Sequence, residues 1–267
     1  MIRLAWATDL HLDFVDRTTF TNFIEDIHNA QPDALLIGGD IGEAHNVVEF
    51  LRSLHDILQL PIYVVLGNHD FYRGGIETVR VAVQDLCEST TNMEFLTRSK
   101  VPIRLSNETS LVGHDGWADA REGDYNRSLV MMNDYLLIEE LSEFTKQERL
   151  AALHRLGDEA AKHIKLQLEL ALADVKRVFV LTHVPPYRGA CWYEGTISDD
   201  EWAPHFVCQA VGRAIDDAAA IHPEAQITVL CGHTHSGGKF RAAPNVEVIT
   251  GAAEYGKPKV TQLFLVP

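Results

Sequence analysis

The sequence predicts an α/β fold built largely from parallel strands, on three observations. First, short aliphatic runs recur along the 267 residues, and most of them end in Gly, Asn, Asp or His. Their hydrophobicity is continuous rather than alternating, as in strands covered on both faces. Second, the segments between the early runs carry apolar residues at helical spacing. Third, the two patterns alternate through residue 88, which is the signature of βαβ units.

The elements follow in order. "IRLAWATD" (2–9) is the first strand, and Phe20, Phe23, Ile24 and Ile27 then share one helical face. "DALLIGGD" (33–40) precedes a helix marked by Val47, Val48, Leu51, Leu54, Ile57 and Leu58. "PIYVVLGNHD" (61–70) precedes another, marked by Ile76, Val79, Val83 and Leu86. Further strands are expected at "TSLVGHDGW" (109–117), "RVFVLTHVPP" (177–186), "ITVLCGHTH" (227–235), "VEVITGAA" (246–253) and "VTQLFLV" (260–266), the last two as an antiparallel hairpin. The stretch at about 117–176 reads as a helical excursion. Its long helical run opens on a capping box, Thr145 to Glu148, and is expected to be interrupted at Gly157. With no Pro/Ser-rich linker and no internal repeat, residues 1–267 are expected to form a single domain.

Composition narrows the function. A net charge of −15 disfavours extended nucleic acid, whose binding draws on Lys and Arg that release counterions. A small anionic substrate remains open, because local cations overcome a distant field. The four cysteines, Cys87, Cys191, Cys208 and Cys231, have no CxxC spacing and suit free thiols in a reducing compartment. The N-terminus enters a strand directly, with no signal-peptide pattern, and no apolar run approaches the roughly 20 residues of a membrane span. The expectation is a cytoplasmic protein without a membrane partner.

The strand ends carry the chemistry. Asp9 and His11 follow the first strand, Asp40 the second, Asn68, His69 and Asp70 the third, His183 the fifth, and His233 and His235 the sixth. Ligands of open α/β sheets bind outside the carboxyl ends of the strands. A lone Asp there is ordinarily a turn former, and a lone His an ordinary polar residue. His28, His45, His55, His154, His163 and His222 fit that description, while His114 and His205 stay undecided. Seven donors at five glycine-flanked termini do not fit it. Carboxylate and imidazole without thiolate suit Zn, Mn or Fe rather than Ca. Seven ligands exceed one ion, whereas a pair sharing a carboxylate at about 3.5–4 Å accommodates them.

The ordered set "DLH", "GD", "GNHD", "TH" and "GHTH" resembles the calcineurin-like metallophosphoesterases, over residues 2 to about 266. The resemblance implies two mixed β-sheets packed as a sandwich flanked by helices, a four-layer αββα architecture, with a dinuclear centre at one edge. By position, Asp9, His11 and His235 would hold one metal, Asn68, His183 and His233 the other, and Asp40 would bridge. The implied cofactors are two divalent or mixed-valence ions of the Mn, Fe and Zn class. The implied reaction is in-line attack of a metal-activated hydroxide on a phosphate ester. His69 resembles the residue that serves the leaving oxygen, and Glu43 falls where some relatives orient that histidine. Asp70 is expected to stabilise a turn.

Loops above the site supply Arg73, Arg121, Arg127 and Arg188 as expected phosphate clamps, with Trp117, Tyr125, Tyr72, Tyr187 and Trp192 as aromatic neighbours. The run "GGDIGEAHN" lacks the "VDRG" of protein phosphatases, and His69 stands where lipid A precursor pyrophosphatases carry Arg. A small phosphomonoester or phosphodiester, nucleotides included, is therefore the expected substrate. The alternative is a non-catalytic metal-binding scaffold on the same fold. A β-lactamase-like hydrolase is a further rival, but its "HxHxDH" run is missing here.

Overall fold

The computed structural model describes residues 1–267. The first half runs β1 (Ile2–Ala7), α1 (Arg17–Ala30), β2 (Ala34–Gly38), α2 (Val47–Leu58), β3 (Ile62–Val65), α3 (Ile76–Ser89), β4 (Met93–Phe95), β5 (Ile103–Arg104) and β6 (Thr109–His114). The single turns α4 (Asp134–Leu137) and α5 (Glu139–Ser142) lead to the long α6 (Lys146–Leu172) and β7 (Arg177–Thr182). A small hairpin of β8 (Trp192–Tyr193) and β9 (Thr196–Ile197), the turn α7 (Ala203–Phe206) and α8 (Gln209–Ile221) follow. The chain ends with β10 (Gln226–Cys231), β11 (Gly238–Ala243), β12 (Val246–Thr250) and β13 (Gln262–Val266).

Two large sheets result, in the orders β13-β1-β2-β3-β4 and β11-β12-β10-β7-β6-β5. The neighbours β1 to β4 are parallel, as are β6, β7, β10 and β12, while the outer β13, β11 and β5 run antiparallel. Both sheets are therefore mixed, as expected. Successive side chains of a strand point to opposite faces, and that rule assembles the layers. Leu4 and Trp6 of β1 join Leu36, Leu181, Leu230 and Ile249 in the core between the sheets. Ala5 and Ala7 face the other way, onto Ile24, Leu51 and Val83 of α1 to α3. In the second sheet Val178, Val180, Ile227 and Val229 turn outward against Ile164 and Leu168 of α6 and Ile215 of α8. Burial on both faces is why these strands read as unbroken apolar runs.

Two expectations need correcting. β12 and β13 do not form a hairpin, because they lie in different sheets: β13 crosses over to pair with β1. The antiparallel partner of β12 is β11, an edge strand of sequence GKFRAA that is partly exposed and so carries little apolar signal. α6 is also not interrupted at Gly157 but runs unbroken to Leu172 from its capping box, in which Thr145 N donates to Glu148 Oε2 at 2.9 Å. The glycine is there for close approach, since a Cβ at 157 would come within 2.5 Å of the Cβ of Asp119.

Candidate metal centre

The carboxyl ends of β1, β2 and β3 in one sheet meet those of β7 and β10 in the other, so each strand hands its next residues to a common edge. Backbone hydrogen bonds set the loops: Asp9 N donates to Gly39 O at 3.0 Å, His11 N to Asp40 O at 2.8 Å and Gly232 N to His183 O at 2.8 Å. Asp9, His11, Asp40, His233 and His235 all have φ between 44° and 73°, the left-handed region that costs a non-glycine residue roughly 1–3 kcal/mol. So much unfavourable backbone in one place is characteristic of functional sites. Glycine lets the loops close: a side chain at Gly67 would run into the Asp40 carboxylate, and one at Gly232 into that of Asp9.

Asp9, His11, Asp40 and His235 bring one donor atom each within 4.8 Å of one another. His11 Nε2 faces His235 Nε2 at 3.0 Å, and His235 Nε2 lies 3.5 Å from Asp9 Oδ1. A second set adjoins it. Asn68 Oδ1 sits 3.1 Å from His183 Nε2 and 2.9 Å from His233 Nδ1. Asp40 Oδ2 reaches both sets, 3.8 Å from His11 Nε2 and 3.4 Å from His183 Nε2.

Second partners fix which atoms face inward. Thr8 Oγ1 donates to Asp9 Oδ2 at 2.7 Å. The Asn68 amide is oriented by Asp134, which accepts from Asn68 Nδ2 and from the Tyr72 hydroxyl, both at 2.8 Å, so the Asn68 oxygen must point at the histidines. Burial, and after it the neighbouring His183, pushes the His233 imidazole down to about 3, so it is neutral at pH 7. Both ring nitrogens face an oxygen, Nε2 the His205 carbonyl at 3.2 Å and Nδ1 the Asn68 Oδ1 at 2.9 Å. A neutral imidazole has one ring proton for these two oxygens, so one ring nitrogen points a lone pair at an oxygen unless a cation or second proton lies between them. His11 is likewise lowered to about 3, chiefly by burial, and its Nδ1 has no hydrogen-bond partner. Burial works to raise the Asp40 carboxyl, but His183, His69 and His11 hold it well below the usual range. For His183 burial works downward and Asp40 outweighs it, raising the imidazole to about 10. The donor set fits divalent metal.

The other expected residues are placed as follows. His69 opens a 3₁₀ turn, its ring centroid 4.7 Å from that of His11 and 4.3 Å from that of Tyr72, at the edge of a cleft. Asp70 accepts from the backbone N–H groups of Ile41, Gly42 and Gly67, the turn-stabilising role expected of it. Glu43 makes no ion pair with His69. It pairs with Arg73, with His45 3.6 Å away, and no hydrogen bond joins it to His69. None of the four arginines lines the cleft. Arg73 is held by Glu43, Arg121 by Asp119 and Asp158, Arg127 faces Asp124 at 3.5 Å, and Arg188 is taken by Asp200. With 38 acidic residues against 23 basic ones, a guanidinium finds a local carboxylate before it reaches the site.

Asp134 and Tyr255 carry no signal in the sequence, and His205 is one of its two undecided histidines. The Tyr255 ring lies 4.4 Å from His11 and 5.0 Å from His235 by centroid. His205 is buried, within 2.6 Å of the Tyr135 hydroxyl and 2.9 Å of Ser128 Oγ. Burial, then Lys146 and Arg149, lowers it to about 4. An unfolded chain binds that proton near pH 6.5 and the folded one only near 4, so stability present above pH 6.5 is lost as pH falls through this window. At roughly 1.4 kcal/mol per pKa unit, about 3 kcal/mol rides on the site. Urea midpoints of wild type and His205→Gln at pH 7 and 4.5 check this: the wild type should lose more, and equal losses would contradict it.

Comparison with known proteins agrees with this geometry. The profile described as calcineurin-like phosphoesterase matches residues 2–237. A segment is 36% identical over 83 residues to a "probable cyclic nucleotide phosphodiesterase" of Pseudoalteromonas sp. (strain SM9913), spanning 26% of this chain and 31% of that relative. The fold is similar to the phosphopantetheinyl hydrolase of Mycobacterium tuberculosis (TM-score 0.68, 14% identity, 95% of this chain and 90% of that one). It is also similar to a dimetal phosphatase of Danio rerio (TM-score 0.60, 13% identity, 94% and 87%). The chain belongs to the calcineurin-like phosphoesterase family. No helix is long and apolar enough to cross a membrane.

Proposed function

We propose that this chain hydrolyses a small phosphomonoester or phosphodiester at a centre of two metals. One would be held by Asp9, His11 and His235, the other by Asn68, His183 and His233, with Asp40 shared. The observation that carries the proposal is the convergence of His183 Nε2 and His233 Nδ1 on Asn68 Oδ1, at 3.1 and 2.9 Å, beside a carboxylate that reaches both donor sets. Divalent ions of the Mn, Fe or Zn class held there would acidify water and offset charge on the phosphoryl oxygens. The chain's residues do the rest. Thr8 and Asp134 orient Asp9 and Asn68, the Gly38 carbonyl faces His183 Nδ1 at 2.9 Å, and the cleft receives the ester. His69, at its rim and tethered through its backbone N–H to Asp40 Oδ1 at 2.9 Å, supplies a proton to the leaving oxygen.

The test is His69→Ala on metal-reconstituted protein. The backbone bond to Asp40 survives, so metal content should stay at the wild-type level. Turnover of an alkyl phosphate should fall about 100-fold. A p-nitrophenyl ester, whose leaving group needs no proton, should fall far less. Loss of metal, or an equal effect on both esters, would refute the role. Failure of metal-loaded wild type to hydrolyse any ester would refute the function.

A further inference from the structure

The cleft beside the donor sets has a volume of about 670 Å³, within the usual range for small-molecule sites. Its polar end is Asn68, His69, His233 and His235. Apart from Asn133, Glu201 and Thr234, the rest is aromatic and aliphatic. Phe206 places its ring 5.3 Å from that of His233, edge to face. Trp202 stacks on Phe206 at 5.3 Å and 19°, and Tyr193 lies 4.9 Å from Trp202. Beside this tier a loop contributes Leu129 and Met131, 88% and 59% exposed, with Leu129 N donating to Glu201 Oε1 at 3.3 Å. Large apolar side chains left in water beside a polar centre mark a binding surface, and methionine adapts its shape to a flat partner.

The charges lining this space are as telling. It contains no Lys or Arg, and Glu201 is its one carboxylate. A diphosphate or triphosphate ester would lay further negative charge along the cleft with no guanidinium to clamp it, and Glu201 would repel it. A single phosphoryl group has no such difficulty, because it stays at the donor sets.

We infer that the substrate is an ester of one phosphoryl group whose organic portion is a flat, uncharged ring system bound against the Trp202–Phe206 tier, and that polyphosphates are excluded. This rests on the proposed phosphoesterase reading and assigns the substrate class of that same site. Trp202 and Phe206 supply the ring platform, and Glu201 supplies the discrimination against further anionic groups. A ring seated there continues a stack that already reaches His233, so its burial adds to the hold on the phosphoryl group at the metals.

The experiment uses metal-reconstituted full chain and two readouts. In calorimetric titration, naphthylmethylphosphonate, which has no ester to cleave, should bind about 10-fold tighter than methylphosphonate, a difference of about 1.4 kcal/mol that stacking together with apolar burial of the ring supplies. That preference should shrink several-fold in Trp202→Ala. Met131→Glu, at a position 59% exposed and outside the packed core, should shrink it as well. In hydrolysis, naphthyl phosphate should exceed glycerol phosphate in kcat/KM, AMP should exceed ADP, and Glu201→Arg should narrow the AMP–ADP gap. Equal binding of the two phosphonates, a ring preference untouched by both Trp202→Ala and Met131→Glu, or ADP cleaved faster than AMP would overturn the inference. Ring-selective binding without hydrolysis of any ester would leave the cleft assignment standing and remove the phosphoesterase reading. Hydrolysis without ring preference would do the reverse.

Discussion

Asp40→Asn is expected to lower metal content and ester turnover together, each on the order of 100-fold. Substitutions of residues that merely orient metal ligands cost 10–100-fold in affinity or activity, and Asp40 is placed closer than that. Its Oδ2 reaches His11 at 3.8 Å and His183 at 3.4 Å, so one carboxylate serves both donor sets. The amide keeps the side chain's volume, and its oxygen can still accept the 2.9 Å bond from His69 N, so the fold should survive. A second readout needs no metal. Asp40 is what holds the His183 imidazole up at about 10 against the downward pull of burial. Without that charge, His183 in the metal-free variant should titrate well below 10, as NMR of its ring protons would show. Metal analysis that finds both ions at wild-type occupancy in Asp40→Asn, with turnover intact, would remove Asp40 from the shared position.

The donor residues were legible because topology does most of the placing. Once β1, β2, β3, β7 and β10 are read as parallel strands, Asp9, Asp40, Asn68, His183 and His233 must emerge at the same ends. Local sequence suffices for that inference. It fails for groups whose partners are distant in sequence. Arg121 looks like a phosphate clamp until the fold brings Asp158 within 2.7 Å of it. Glu43 looks like a partner for His69 until Arg73 takes it. Asp134 lies within the stretch read as a helical excursion, and nothing nearby reveals that it reaches Asn68, 66 residues away. β11 was missed because an edge strand needs little apolar side chain, and the supposed hairpin of β12 and β13 looked right because short separation ordinarily means pairing. The aromatic tier draws Tyr193 from β8 and Trp202 and Phe206 from around α7, and none of these sits in a motif.

Asp115→Ala is expected to destabilise the protein by about 3–5 kcal/mol, the range for breaking a buried ion pair by removing one partner. Asp115 is 1% exposed and Arg80, from α3, is 3% exposed. Arg80 Nε donates to Asp115 Oδ2 at 2.9 Å, and its Nη1 reaches Glu159 of α6 at 2.8 Å. The other Asp115 oxygen accepts from Leu66 N at 2.7 Å and from Thr97 Oγ1 at 2.6 Å, and the Asp115 carbonyl accepts from His183 N at 3.0 Å. This one residue thus joins helices on both sides of the sandwich and pins the loops that carry Asn68 and His183. Alanine leaves Arg80 in a dry environment with only the exposed Glu159 for a charge partner, and it orphans the Leu66 amide, a further loss. Against a typical total of 5–15 kcal/mol, that is a large fraction. Because the pair acts as a unit, adding Arg80→Met should cost much less than Arg80→Met does alone, giving a coupling of up to about 3 kcal/mol in a double-mutant cycle. Asp115→Asn keeps the acceptor for Leu66 and removes only the charge, so it should fall between wild type and alanine in urea midpoint. A midpoint for Asp115→Ala within about 1 kcal/mol of wild type, or strict additivity with Arg80→Met, would show that the two sheets are held in register at the metal edge by something other than this pair.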